Sequence, residues 1–223
     1  MKAKIKIVAK GPYLVTGGVP LSEKIIESKG NGYVYREGRE LPQAEAYALC
    51  RCGKTTTPPF CDGSHTACRF IGEETAPSEP FTDRAELLRG PALDMYDDGR
   101  CAFARFCHRE NGDAWELLNR SDRAADRREA IAAASECPAG RLVAVTKAGQ
   151  LIEPALTPSI DILQDPERNV SCGIYVKGYI PVESAKGFTY EPRNRVVLCR
   201  CGASRIKPFC DASHVDIGYK DLK

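Results

Sequence analysis

The sequence predicts an α+β protein in which two small β-rich modules, paired as a pseudo-twofold unit, flank a middle segment of mixed structure. Three observations carry this. A gapless motif occurs twice, at 50–65 and at 199–214. Gly and Pro break the residues upstream of each copy into strand-length pieces rich in β-branched and aromatic side chains. The clearest helix-favouring stretch, 121–136, lies between the copies.

Composition bounds the function before any motif is read. The 223 residues suit one large domain or two to three small ones. Lys and Arg number 32 against 30 Asp and Glu, a net charge of +2, so no basic face for nucleic acid is expected. Hydrophobic content of 43% and charged content of 28% are those of a soluble globular chain. No apolar run approaches the ~18 residues of a membrane span. The opening MKAKIKIVAK lacks the apolar centre of a secretory signal and the Arg/Ser pattern of a transit peptide. A cytoplasmic, bacterial-type chain with no membrane or nucleic-acid partner is the expectation. The unusual number is eleven cysteines, an odd count that excludes a complete disulfide framework. Thiols that stay reduced and cluster tend to bind metal.

The first module is assigned to 1–70 and the second to 156–223. Upstream of the motifs, GPYLVTGGVPL at 11–21 aligns with GIYVKGYIPV at 173–182 if one residue is gapped. Tyr13 then pairs with Tyr175, Gly17 with Gly178 and Pro20 with Pro181. Apolar runs at 46–49 and 196–198 lead into the motifs as strands. Modules of about 60–70 residues are near the lower limit for a self-sufficient core. A metal cluster or pairing with the twin would hold them together. Residues 71–82, rich in Pro, Ser, Thr and Glu, read as a linker.

The middle segment is assigned to 83–150. Its helix at 121–136 has Ser121 as N-cap, Asp122 in the first turn, and Ala125, Ile131 and Ala132 for a core. It stops at Cys137-Pro138 because Pro disfavours continuation. A strand over 142–145 and a turn at 147–150 follow.

Each motif supplies three cysteines and one of the chain's three histidines. Cys50 and Cys52, like Cys199 and Cys201, are two apart and point the same way on extended chain. Cys61 and His65, like Cys210 and His214, are four apart and share a face of a helical turn. A Cys3His set suits tetrahedral zinc or a 2Fe-2S cluster. The C-x-C spacing departs from the C-x2-C usual for zinc.

The motif resembles that of the CDGSH iron–sulfur proteins, the mitoNEET-type family, C-x-C-x2-S/T-x3-P-x-C-D-G-S/T-H. The match is complete at Cys50, Cys52, Thr55, Pro59, Cys61, Asp62, Gly63, Ser64 and His65. It holds at Cys199, Cys201, Ser204, Pro208, Cys210, Asp211, Ser213 and His214, with Ala212 in place of Gly. If that position needs positive φ, Ala costs on the order of 1 kcal/mol. The resemblance implies a 2Fe-2S cluster in each copy. Three thiolates leave such a site less negative than four, which raises its potential over all-Cys ferredoxins. The histidine is protonatable, so cluster loss is expected to accelerate below about pH 6.5, where a proton competes with iron for the imidazole. Its second ring nitrogen is expected to face solvent or a hydrogen-bond partner.

The middle segment reads CAFARFC at 101–107 and CPAG at 137–140. A cysteine loop plus a distant Cys-Pro resembles bacterial single-cluster ferredoxins of the three-cysteine type. Ala104 stands where a four-iron ferredoxin loop has its middle cysteine. The resemblance implies that Cys101, Cys107 and Cys137 hold a 3Fe-4S or 4Fe-4S cluster in a ferredoxin-like βαββαβ fold. Three loosely spaced cysteines are also compatible with buried apolar roles. His108 reads as a surface residue, Trp115 as core, and Cys68 and Cys172 as small buried hydrophobes. Arg120, Arg123, Arg127 and Arg128 read as a solvated helix face, or as a patch for an acidic partner.

No phosphate loop, Ser/His/Asp set or flavin motif is present in the sequence, so no enzyme with its own substrate is expected. Electron transfer, cluster carriage or assembly, redox sensing, and a structural zinc role are the competing classes. A redox partner or an apo cluster-acceptor protein follows from the first two. A chain carrying both copies needs no dimer, so a monomer is expected.

Overall fold

The computed structural model describes residues 2–221. The first module contributes β1 (Lys4–Ile7), β2 (Tyr13–Thr16), β3 (Leu21–Lys29), β4 (Gly32–Glu37), β5 (Ala46–Leu49) and the single turn α1 (Ser64–Ala67). The middle contributes α2 (Phe81–Arg84), β6 (Glu86–Arg89), β7 (Asp94–Asp97), β8 (His108–Arg109), β9 (Gly112–Asp113), α3 (Ala114–Asn119), α4 (Ala124–Glu136), β10 (Leu142–Val145) and β11 (Leu151–Ile152). The second module contributes β12 (Ser159–Asp165), β13 (Val170–Lys177), β14 (Val182–Glu183), β15 (Arg195–Leu198) and α5 (Ser213–Asp216). Among the described residues, no helix is long and apolar enough to cross a membrane.

Strand alternation explains the first sheet. In β1, Ile5 and Ile7 are buried while Lys6 faces out, and β2 buries Tyr13 and Val15. The sheet order is β14-β1-β2-β5, and the companion sheet runs β15-β13-β12-β3-β4. Each module therefore lends a strand to the other. β3 leaves the first module to pair in parallel with β12, and β14 returns to pair in parallel with β1. The symmetry reaches single hydrogen bonds: Ile5 N–H donates to the Pro181 carbonyl and Ile160 N–H to that of Pro20, both at 2.9 Å. Proline, lacking an N–H, fits the entry to a strand where only its carbonyl is used. One core runs between the sheets, with Ile5, Tyr13 and Leu49 packed among Ile160, Ile174 and Leu198. The modules are thus a strand-exchanged pair.

The register corrects the alignment of the two copies. Tyr13 lies opposite Leu49, and Ile174 lies opposite Leu198. Because each leucine precedes the first motif cysteine, Tyr13 corresponds to Ile174 and no gap is needed. Tyr175 points to the other face and joins a separate cluster with Ile26, Phe106 and Cys210. A one-residue slip exchanges the faces of a strand, so similarity of side chains misled where the period of two did not.

The segment 71–82 is no free tether. Glu74 is buried and accepts from Ala185 N–H and the Tyr190 hydroxyl, both at 2.9 Å. Thr75 and Ala76 N–H donate to the Lys207 carbonyl. Its backbone is satisfied by the second module, which fixes its path.

The middle segment forms an antiparallel sheet β11-β10-β7-β6, with α3 and α4 packed together. Its order, a one-turn helix, four strands, two helices and two strands, differs from βαββαβ. The loop carrying Cys101 and Cys107 occupies the first crossover, so both helices follow it consecutively. The long helix begins at Ala124, not Ser121, and its buried face is Asp126, Ala130, Ala133 and Ala134. The Ser121 hydroxyl accepts instead from Ala92 N–H at 3.1 Å, which removes it as a cap. Arg195 of β15, 1% exposed, donates to the carbonyls of Ala134, Ser135 and Cys137 at the end of α4. A cation there satisfies orphan carbonyls and opposes the helix dipole, so it ties this helix end to the second module.

The tightest contact between modules lies at the two C-x-C-G turns. A Cβ on Gly53 would sit 2.4 Å from the Cys201 carbonyl oxygen, and one on Gly202 2.6 Å from that of Cys52. Both glycines also hold positive φ, 72° and 82°. Gly53→Ala or Gly202→Ala is expected to cost about 2 kcal/mol or more, since backbone must shift to make room. Gly187→Ala, with φ of 92° and open space around it, is expected to cost only about 1 kcal/mol. Denaturant midpoints of the three variants check this ordering.

Candidate iron–sulfur centres

The same local bonds build both motif sites. Cys50 N–H donates to the Pro59 carbonyl at 2.8 Å and Cys61 N–H to that of Ala48 at 2.9 Å. Cys199 and Cys210 repeat this with Pro208 and Val197, both at 2.8 Å. The returning segment therefore runs beside the end of β5 or β15 and brings its cysteine to the C-x-C pair. The Thr55 hydroxyl donates to the Phe60 carbonyl at 2.6 Å, and Ser204 to Phe209 at 2.7 Å, closing each loop.

The aspartate between Cys and His aligns the helical turn. Asp62 accepts from Ser64 N–H at 2.9 Å and from the Thr56 hydroxyl and N–H at 2.8 and 2.7 Å. Hydrogen bonds from Ser64 and Thr56 hold its carboxyl well below the ordinary range. Burial alone would raise Asp211, but bonds from Ser213 and Arg205 overcome it and hold it low as well. Both carboxylates stay charged through mild acid, so they keep the His-bearing turns in place there.

The donors come in pairs. Cys50 and Cys52 sulfurs are 3.7 Å apart, as are Cys199 and Cys201. Cys61 Sγ lies 3.3 Å from His65 Nδ1, and Cys210 Sγ 3.5 Å from His214 Nδ1. Two thiolates on one tetrahedral metal at ~2.3 Å are separated by about 3.7 Å, so each pair matches one metal. Among the described residues, no three Cys, His, Asp or Glu side chains gather as a single ion would require. Two donors for each of two irons fit this layout better than four donors on one zinc.

The thiol chemistry also asks for a cationic core. Burial pushes Cys52 up to about 12 and raises Cys210 well above its usual value. In the second C-x-C pair a hydrogen bond from Cys201 draws Cys199 down to about 6, while Cys201 is pushed up. Together the pair retains a proton. A positively charged centre turns such thiols into thiolates and releases protons as it binds. Arg51 and Arg200, the middle residues of the two C-R-C triplets, are buried behind these sulfurs. Arg51 donates to the Val8 and Gly72 carbonyls, and Arg200 to those of Leu163 and Cys172. The repeated Arg between the cysteines was the sequence signal for this pair.

The histidines differ. His65 is half-buried and lines an open groove with Lys10, Arg69, Phe70 and Ile71. His214 is 2% exposed, and among the described residues its Nε2 has no hydrogen-bond partner. The expectation that this nitrogen faces water or a partner therefore fails at the second site. Burial, with the Arg200 charge beside it, holds the His214 imidazole down at about 4.

Gly63 has φ of 89° and Ala212 of 68°, so the position does require the left-handed region. Ala212 meets that demand with a Cβ that glycine lacks.

In the middle segment Cys101, Cys107 and Cys137 line one cavity with Phe103, Trp115 and Pro138. Burial raises Cys107 to about 12 and raises Cys137 as well. Phe103 N–H donates to Cys101 Sγ at 3.3 Å, and Arg141 lies beside Cys101. Ala104 is buried and supplies no fourth donor. His108 is exposed, and the half-buried Trp115 donates to Asp97 at 3.2 Å while packing on the local core. Cys172 is buried, but Cys68 is exposed, since it follows α1 on the open side of the first module.

Two outcomes follow. As pH falls from about 8 to about 5.5, a metal centre at the first site is expected to be lost before one at the second, because His65 lies at an open groove and His214 is buried. The neutral His214 ring persists to about 4. An unfolded chain takes up that proton near 6.5, so this burial gives its full stability above ~6.5 and loses it as pH falls toward the folded value. Visible absorption against time in the wild type and His65→Cys, which removes the acid-sensitive ligand, tests the order. Ala212→Gly is expected to gain about 1 kcal/mol in thermal or denaturant unfolding by relieving positive φ.

A profile described as an iron-binding zinc finger of CDGSH type matches residues 10–66 and 173–215. One described as a divergent 4Fe-4S mono-cluster matches residues 88–147. Neither a curated protein nor a solved structure matches the chain. The two segments that carry the motif are thus similar to the CDGSH type, and the segment between them is similar to a divergent 4Fe-4S one.

Proposed function

We propose that this is a three-cluster iron–sulfur protein for electron transfer. Cys50, Cys52, Cys61 and His65 hold one 2Fe-2S cluster, and Cys199, Cys201, Cys210 and His214 hold another. Cys101, Cys107 and Cys137 hold a 3Fe-4S or 4Fe-4S cluster. Bound clusters of these kinds supply one-electron redox chemistry.

The observation that carries the reading is the contact between sites. Gly53 and Gly202 set the two C-x-C turns backbone to backbone. Ala102 and Ala104 of the middle cysteine loop share a buried cluster with Cys210 of the second site. Three donor sets held on adjoining packed segments of one chain suit redox exchange among them better than independent storage. The chain's own residues keep these sets in place, and they bury the second site's His214 while His65 stays at an open groove. It acts as a monomer, with no substrate chemistry of its own, on a redox partner protein.

Cluster carriage is the second reading, favoured by the open groove at His65. Rapid delivery of a 2Fe-2S unit to an apo-ferredoxin, ahead of loss to a chelator, would establish it.

Anaerobic purification with iron, sulfide and zinc counts and electron paramagnetic resonance tests the cluster assignment. About seven irons per chain with an oxidised 3Fe-4S signal is expected, or about eight with a 4Fe-4S centre. About four irons would remove the middle site, and abundant zinc would overturn the reading.

A further inference from the structure

The two modules are alike, but their outer faces are not. On the second module the loop 101–107 covers the site. Ala102, Ala104 and Phe106 pack with Cys210. Arg105 pairs with Asp165 at the end of β12, at 2.5 and 3.2 Å, and both side chains are buried. A single insertion can cover only one of two equivalent faces. The matching face on the first module is open, with His65 at the groove beside Lys10, Arg69, Phe70 and Ile71. Ile71 is 70% exposed.

The strand ends can be matched. Val8 and Leu163 are equivalent, because their carbonyls accept from Arg51 and Arg200. Two residues further on, the first module has Lys10 where the second has Asp165. The residue that receives an arginine from the middle loop is thus replaced by a cation. Arg69 adds a second, and among the described residues no carboxylate lines the groove.

We infer that the His65 face docks a separate protein with an acidic surface, in the position that the chain's own middle segment takes on the other module. The charge pairing is reversed: the partner brings carboxylates to Lys10 and Arg69, and apolar surface to Phe70 and Ile71. The redox character of that partner rests on the electron-transfer reading. The docking face rests on the symmetry and the charges.

The test uses the full cluster-loaded chain and an acidic plant-type 2Fe-2S ferredoxin as probe. Affinity is measured by titration calorimetry at two ionic strengths. Lys10→Glu/Arg69→Glu is expected to weaken binding at least about tenfold and to abolish its salt dependence. Arg123→Glu/Arg128→Glu, which reverses two exposed charges near the start of α4 and within it, is expected to change neither. Retained visible absorption of both variants shows that the clusters and fold persist. Equal affinity for wild type and the Lys10/Arg69 variant overturns the proposal. So does a larger loss in the α4 variant, or no binding by the wild type at low salt. Reduction by dithionite, which needs no docking face, is measured alongside. If dithionite leaves the clusters oxidised, the electron-transfer reading falls, while the docking face is decided by calorimetry alone.

Discussion

The reciprocal loan of a strand between modules is the constraint on which the rest depends. β1 finds its outer neighbour only in β14, and β12 only in β3. A module of this size is near the lower limit for a self-sufficient core, and exchange lets one core serve both. The same pairing puts the C-x-C turns against each other. It also makes each site depend on the other module: the Tyr13 hydroxyl donates to the Cys199 carbonyl at 2.8 Å and the Pro208 carbonyl at 3.1 Å. A strand of the first module thus braces the backbone around two sulfurs of the second.

The middle segment breaks this symmetry. Its attachments are mostly charged: Arg195 at the end of α4, and Arg105 on Asp165. Buried pairs add little net stability, because desolvation consumes most of the attraction. Breaking one by removing a single partner costs about 3–5 kcal/mol, so such pairs select one docking geometry over others. The consequence is asymmetry between sites with the same four donor types. One histidine is buried and the other lines an open groove.

The motif ligands were legible because covalent spacing alone places them. C-x-C on extended chain and C-x3-H on a helical turn need no tertiary knowledge, and the structure brings those donors together in pairs. The positive φ at Ala212 was legible too, since it follows from glycine standing at the same place in the twin copy. Errors arose where local pattern competes with packing. Ser121 looks like a cap, but its hydroxyl is taken by Ala92. The composition of 71–82 looks like a tether, yet Glu74 is drawn into the second module. Cys68 looks like a small hydrophobe, but the short turn that carries it leaves it outside.

What the sequence alone determined is therefore the duplication, visible as a repeated pattern, and the donor sets with the turn chemistry that orients them, which are matters of residues within one sixteen-residue motif. Tertiary structure decided which module lends which strand, which face of Tyr175 is inward, and which of the two histidines meets solvent. Those depend on contacts between residues far apart in the chain, more than a hundred positions for Tyr13 with Cys199 and for Glu74 with Ala185. Motifs that share their donors and spacing carry no record of which copy a single insertion will cover. That choice is made by the charges and shapes that meet only when the chain is folded.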